Sequence, residues 1–570
     1  MRFLVRNSGR ILLLTGILVL LLSGALQAAE KIKINSLEEL PVHTYTLQGT
    51  VAELMNHPDQ MTQLRKEVRA DIDSDLAKYE ISDPATLKKY YQTMVLLDLA
   101  DRKFKAAIDG LDRILLLEDK EANQLMDGLV TRAYIAAHDR LTGTITEDRF
   151  LAVFRLYLED KLMKQPYRVV QDRVKADKAR AEFMSENLLL GMVQSQIEPA
   201  AKAMGGLSSD LAASLIGIRY TIDERLALNP VIVEVYDNYI QANQVAKENI
   251  WPQRELVLHT AEDLEPVVVG IWDSGVDPTV YGDLMFVNPA EILDGIDNDG
   301  NGFVDDIYGI AFDVNGMPST DMLHPLGDQD GKLAEVYEYV QGFSDMTANV
   351  DSPAATAVRT HLKNIPADQV GGFMTSLSFG GLYMHGTHVA GIAVKDNPFA
   401  RILIARISFD YHPTPAVITI DIAKRLAAGY LATAQYFRDN GVRVVNMSWG
   451  YSYKEIESNL EANGVGKDGE ERAALAKEMI GILGDGLKQA MTDSPGILFV
   501  TAAGNDDNDV DFDVVIPSSF DLPNLMVIGA LDQAGDPTGF TSGGENVRVY
   551  ANGFQVESYV PGGNEIKMSG

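Results

Sequence analysis

Two grammars of hydrophobic spacing divide the chain. From about Glu30 to His259 the apolar positions recur at helical intervals. Phe104, Ile108, Leu111 and Leu115 share one face with Lys105, Asp109 and Asp112 between them, and Leu64, Val68 and Leu76 repeat the theme. Asp83-Pro84 predicts a helix start, since a carboxylate accepts from the free amides of a first turn and proline has no amide to leave unpaired there. Pro230 and then Trp251-Pro252 interrupt this pattern and mark a junction before residue 262. Beyond it, short apolar runs alternate with helical stretches. Val267–Trp272, Ile402–Ile407, Val442–Met447, Ile497–Thr501 and Leu525–Ile528 each predict a strand buried on both faces. Leu382–Val394, Ala416–Phe437 and Arg472–Met491 predict helices. The expected fold is therefore α/β, a mainly parallel sheet flanked by helices, preceded by a mostly α-helical N-terminal domain. The expected division is residues 1–29, 30–260 and 261–570.

The first of these segments has the shape of a secretory signal peptide. Arg2, Arg6 and Arg10 precede the apolar run Ile11–Leu22, and small residues follow around Ala25, Ala28 and Ala29. The run is short against the ~20 residues of a spanning helix. A secreted or periplasmic protein, with no stable membrane anchor after cleavage, is expected.

Composition narrows the chemistry. The 570 residues include no cysteine, which excludes disulfide scaffolds, thiol nucleophiles and zinc ribbons. With 49 basic and 81 acidic side chains the net charge is −32, which argues against nucleic acid as the main partner, because phosphate neutralisation needs clustered Lys and Arg. The excess sits in the second half: from residue 261 onward there are 17 basic and 45 acidic residues. Between Arg254 and Lys332 there are 17 acidic residues and no Lys or Arg. Within that stretch Asp297, Asp299, Asn301 and Asp305, with Gly302 between them, approximate the 1, 3, 5, 9 ligand spacing of a calcium loop, although Tyr308 stands where such a loop has its glutamate. A structural Ca²⁺ ion on these four residues is expected, against a solvated acidic turn as the alternative. Asp506, Asp507, Asp509, Asp511 and Asp513 form a second cluster, either a cation site or a negative rim.

Three strand ends or helices carry candidate catalytic groups. The first strand ends at Asp273-Ser274-Gly275, where a turn would free the carboxylate to orient another side chain. His385-Gly386-Thr387-His388-Val389-Ala390-Gly391 is a thin helical segment with His385 expected on its first turn, facing the strand ends. His385 and His388 as a metal pair would lack the glutamate of a zincin motif. Ala502-Ala503-Gly504-Asn505 leads a strand into an amide able to donate to a developing oxyanion. Each piece alone reads as a turn, a cap or a structural histidine.

Taken in order, and joined by Asn446-Met447-Ser448-Trp449-Gly450, they resemble the subtilisin-like (subtilase) serine peptidases over about residues 262–570. The resemblance implies a serine endopeptidase acting on protein or peptide substrates without an organic cofactor. Asp273 would hold and stabilise the imidazole, His385 would be general base and then acid, and Asn505 would line the oxyanion hole. Ser448, Trp449 and Gly450 would pair with substrate and form a wall of the specificity pocket, with Gly450 leaving room for a side chain. The family's nucleophile follows a Gly-Thr-Ser pattern whose glycine aligns with Gly570, so the serine is expected two residues further on. Ser569 precedes that glycine and is not the nucleophile. The chain is expected to be incomplete at its C-terminus and inactive alone. The alternative is a catalytically inactive subtilase-like binding module. For the helical region, intramolecular inhibition and a separate interaction domain remain open.

Overall fold

A computed structural model describes residues 30–143, 145–329 and 331–570; the signal-peptide expectation falls on residues 1–29 and lies outside them. Among the described residues no helix is long and apolar enough to cross a membrane.

The first half is a helical assembly, as its periodicity predicts. The helix Pro84–Ala100 begins where expected, with Asp83 Oδ2 accepting from the Thr86 amide at 2.6 Å. Phe104–Leu115 buries Ala107, Leu111 and Ile114. Helices Glu147–Leu162, Tyr167–Phe183 and Asn229–Asn243 meet around Phe154, Leu158, Val170, Val174, Ile232 and Tyr236. Two short strand pairs escape helical periodicity altogether: Ile32–Ile34 runs parallel to Tyr79–Ile81, and Thr44–Thr46 antiparallel to Gly206–Ser208.

The second half is built on an eight-stranded sheet. In chain order its strands are β1 (Val267–Asp273), β2 (Gly309–Phe312), β3 (Pro318–Ser319), β4 (Ala400–Arg406), β5 (Val442–Met447), β6 (Leu498–Ala502), β7 (Leu525–Leu531) and β8 (Val547–Asn552). Their spatial order is β8-β7-β6-β5-β1-β4-β2-β3, parallel throughout except for the β2–β3 pair. All five predicted strands are present within two or three residues of their predicted ends. β1 is central, with β4 on one side and β5 on the other, so the strand order reverses around it and the crevice outside its carboxyl end is the natural place for a site.

Alternation along the strands assigns the two faces. Ile271, Ile402 and Ile404 pack under Ala390 and Val394 of the helix Val370–Val394. Trp272, Leu403 and Ala405 face the opposite way, into a core with Tyr430 and Phe437 of the helix Ile420–Asp439 and Leu483 and Leu487 of the helix Gly469–Thr492. Phe437 is fully buried against Trp272, ring centroids 5.8 Å apart and edge-on.

The halves are joined by more than the connecting chain. Leu37 N donates to Phe512 O at 2.8 Å, and Ala179 and Leu188 share an apolar cluster with Val336, Val358 and Val370. In the connecting segment Lys247 pairs with Asp172 of the first half and Asp532 of the second, and Trp251 Nε1 donates to the Asp532 carbonyl at 2.8 Å. Beyond it Leu256, Val257 and Leu264 are exposed.

Phe437→Ala removes a fully buried ring from the Trp272 face and leaves a cavity the two helices cannot close. The expected loss is about 3–5 kcal/mol, read as a lower denaturant midpoint in unfolding followed by tryptophan fluorescence; an unchanged midpoint would contradict this packing.

Candidate active site

β1 delivers Asp273 to the carboxyl edge of the sheet with only 2% of its surface exposed. Its Oδ1 accepts from the Ser274 amide at 2.7 Å and lies 2.7 Å from His385 Nδ1. A carboxylate can only accept here, so Nδ1 carries the proton and Nε2 presents its lone pair on the half-exposed side of the ring. Burial pulls the His385 pKa down, and the charge and hydrogen bond of Asp273 outweigh it, leaving the imidazole above its ordinary 6.5.

Close backbone approach makes this contact. A Cβ on Gly386 would stand 2.3 Å from the Gly275 carbonyl oxygen, so only glycine lets the helix sit against the turn that follows Asp273. Ser274 Oγ donates to Leu382 O at 2.6 Å and accepts from the Gly386 amide at 3.3 Å, and Thr387 Oγ1 accepts from the Asp277 amide at 3.0 Å. Read from sequence as a turn residue, Ser274 in fact fastens the turn to the helix. The adjacency Asp-Ser-Gly was its only sequence signal.

One expectation is corrected. His385 is not on a first turn: its helix runs from Val370 to Val394 and places it four turns in. Gly371, Gly372, Gly380 and Gly381 look like interruptions, yet the helix passes through them, and at Gly380 a Cβ would be 2.4 Å from Val336 Cγ1. Packing against the helix Leu333–Thr347 overrides the local glycine cost. His388 turns away from His385's task. Nearly buried, its Nε2 donates to Ile566 O at 3.2 Å, and burial lowers its pKa to about 4, with His385 adding to the effect.

Asn505 follows β6 after a glycine at φ +118°. Gly504 O accepts from the Ser542 amide at 3.0 Å, and Ser542 Oγ accepts from the Asp506 amide at 3.2 Å, which fixes the turn and leaves Asn505 exposed. A terminal hairpin, β9 (Val556–Tyr559) and β10 (Glu565–Met568), then carries the chain to Gly570. Gly570 N donates to Gly553 O at 3.0 Å, and the Cβ position of Gly570 is 3.4 Å from Asn505 Nδ2. The same hairpin touches the histidine helix, with Ser558 Oγ donating to His388 O at 2.7 Å.

Ser448, Trp449 and Gly450 leave β5 beside these groups. Asn446 Nδ2 donates to Ser448 Oγ at 3.0 Å, and the Trp449 ring meets Trp272 edge-on at 5.3 Å. A Cβ on Gly450 would be 2.7 Å from Ile516 O, because Tyr451–Ser452 pairs antiparallel with Val515–Ile516. In the acidic stretch between Arg254 and Lys332, Asp297, Asp299 and Asp305 all accept from loop amides, and Asp299 also lies near Glu291 and Asp306, two residues the ligand spacing did not single out. Asn301 Nδ2 donates to Asp299 and Asp306 at 3.1 and 2.9 Å.

The chain is similar to known proteases. A subtilisin-like protease of Coccidioides posadasii is 26% identical over 188 residues, 33% of this chain and 39% of that protein. A thermostable alkaline protease of Halalkalibacterium halodurans is 25% identical over 191 residues, 33% of this chain and 42% of that protein. The chain thus spans about two-fifths of the length of these relatives. Among solved structures, a cold adapted subtilisin-like serine proteinase is 20% identical with a TM-score of 0.22, covering 33% of this chain and 55% of that one. A lanthipeptide protease is 14% identical with a TM-score of 0.25, covering 51% and 56%. Residues 265–570, more than half of the sequence and the whole span from the approach to Asp273 to the glycine beside Asn505, match the model of the Subtilase family, and the chain belongs to that family.

Proposed function

We propose that this chain belongs to an exported serine endopeptidase that hydrolyses peptide bonds of protein substrates by acyl transfer. The observation that carries the reading is the 2.7 Å contact between Asp273 and His385, which leaves Nε2 as the free base. The nucleophile is the serine of the family's Gly-Thr-Ser pattern, whose glycine aligns with Gly570. Nε2 takes its hydroxyl proton as the oxygen attacks the scissile carbonyl, and Asp273 stabilises the imidazolium that results. That proton passes to the leaving amine as the C–N bond breaks, and water repeats the sequence to release the acyl group. Asn505 Nδ2 donates to the oxyanion; its nearness to Gly570 supports this role. Ser448, Trp449 and Gly450 border the bound peptide.

The apolar run Ile11–Leu22 behind Arg2, Arg6 and Arg10 supports export. The helical region acts as an intramolecular inhibitor in this reading. Its Lys120 pairs with Asp507, two residues beyond Asn505, and donates to Gly539 O at 3.0 Å, which holds the region against the loop that follows Asn505 and supports this reading. N-terminal sequencing of the exported protein should find a first start near Glu30 and a later one within the exposed 249–265 segment; a single uncut start at Glu30 in active enzyme would sink the inhibitor reading.

The product of the natural gene should be labelled by a fluorophosphonate at that serine, and His385→Ala should abolish labelling. A folded protein that binds peptides and resists the probe would be a binding module instead. Where the enzyme is active, its rate should fall with decreasing pH along a limb centred above 6.5, because His385 must be neutral to accept a proton and its pKa is raised. Asp273→Asn should move that limb downward and cut kcat by about 10²-fold or more. Gly386→Ala should cost a similar factor with little change in the helix itself, since the added methyl meets the Gly275 backbone.

A further inference from the structure

Two arginines of the second half are almost fully buried, and their charges are met differently. Arg472 is 0% exposed, and its Nε donates to Glu457, a carboxylate that is itself 1% exposed. Arg406, the last residue of β4, is 3% exposed, and among the described residues no carboxylate lies within ion-pair distance of it. Its Nη2 donates to Ser319 Oγ at 3.2 Å, and its Nε is buried with no hydrogen-bond partner among those residues. Burial pulls its pKa down, and Asp321 and Asp313 oppose this only from a distance. Asp313 Oδ1 already accepts from the Asn315 and Met317 amides at 2.9 and 2.8 Å, and Asp321 Oδ2 accepts from Ser319 Oγ at 3.4 Å. His324 feels the same unmet charge: burial, and then Arg406, lower its pKa. A guanidinium does not shed its proton inside a protein, so its charge has to be met where it stands.

A small cavity lies where that can happen. Arg406, Trp272, Phe312, Leu426, Tyr430 and Thr433 line it, between β1, the end of β2 and the helix Ile420–Asp439. About 10 Å³ is open to the centre of a water-sized sphere, which is room for one small occupant. Tyr430 brings a second buried donor, its hydroxyl having no partner among the described residues. No acidic side chain lines the space. Its aromatic walls can turn ring edges inward, and these carry partial positive charge. Buried space that offers N–H, O–H and ring edges but no carboxylate favours a negative occupant.

We propose that this cavity is a halide site, in which chloride is held by the Arg406 guanidinium and the Tyr430 hydroxyl. Chloride is only slightly larger than a water molecule and tolerates contact with rings and methyl groups, whereas sulfate, phosphate and organic acids exceed the space. The site lies apart from the hydrolytic groups and braces them. Arg406 pairs in register with Asp273 across β4 and β1, and its Cδ is 3.1 Å from where a Cβ on Gly275 would stand. Fixing the guanidinium therefore fixes the turn that follows Asp273. The chain's net charge of −32 repels anions at long range, so millimolar rather than micromolar chloride is expected to fill the site.

The full chain in sodium gluconate should gain several degrees in unfolding midpoint when chloride or bromide replaces gluconate at equal ionic strength, because gluconate is too large for the cavity. Arg406→Met keeps the length of the side chain and removes its charge. Its midpoint should be the same in all three salts, and in gluconate it should match or exceed that of the wild type, since no unmet charge remains. Wild-type crystals soaked in bromide should show an anomalous peak in contact with the Arg406 guanidinium, a readout that depends on no variant folding. The proposal is overturned if the wild-type midpoints agree in gluconate and chloride, or if the halide gain survives in Arg406→Met. A water in the cavity of bromide-soaked crystals, with no bromide there, would overturn it equally.

Discussion

A buried carboxylate with one imidazole to answer it sets the terms for the rest of the second half. Among the described residues Asp273 keeps one oxygen, Oδ2, buried and without a partner, so its charge is met through Oδ1, by Ser274 and His385. Taking a carboxylate out of water costs several kcal/mol unless fixed dipoles or an opposite charge replace the solvent. The chain accepts this cost at the end of its most constrained strand, hydrogen-bonded on both sides by β4 and β5. A carboxylate held so rigidly costs little reorganisation when the imidazole beside it becomes charged, which is what electrostatic preorganisation means here.

The parts of the fold legible in sequence are those where burial on both faces writes a continuous apolar run. β1, β4, β5, β6 and β7 are of this kind. β2 is only four residues long at the end of an acidic loop, and β8 is mostly exposed, so neither has a hydrophobic signature. The pattern predicts the helix carrying His385 twelve residues short because its glycines weigh as breakers locally, while in the fold Gly380 admits Val336. Motif order located Asp273, His385 and Asn505, but not what holds them. Ser274 as a fastener, the Ile516 carbonyl beside Gly450, and Glu291 and Asp306 in the insert all depend on contacts between segments distant in sequence, or on which oxygens the local turns have already used.

Charge follows the same division between local and distant. The second half holds most of the acidic excess, and the first half meets it with a few placed lysines, Lys120 on Asp507 and Lys247 on Asp532. The exchange runs the other way at Lys454 with Asp210 and Lys477 with Glu38. The more exposed pairs, Lys454 with Asp210 and Lys477 with Glu38, contribute about 0–1 kcal/mol each, whereas Lys247 and Asp532 are largely buried, and the apolar cluster around Leu188, Val358 and Val370 adds to the adhesion. The helical region is therefore positioned by contacts that its own periodicity could not reveal.

The two glycines of the histidine motif explain how these elements reach one another. Gly386 and Gly391 are five residues apart, about 140° around the helix axis, so they open two different sides of it. On the first side lies the backbone of Gly275; on the second a Cβ would be 2.2 Å from Ser558 Oγ of the terminal hairpin. One helix is thereby pressed between the turn that carries Asp273 and the hairpin that leads to Gly570. Either glycine alone would let His385 meet one partner. Both are needed for the base to be fixed at once against its orienting carboxylate and against the strand pair that delivers Gly570 to Asn505, and this is why a segment of such small residues sits in the middle of a long helix.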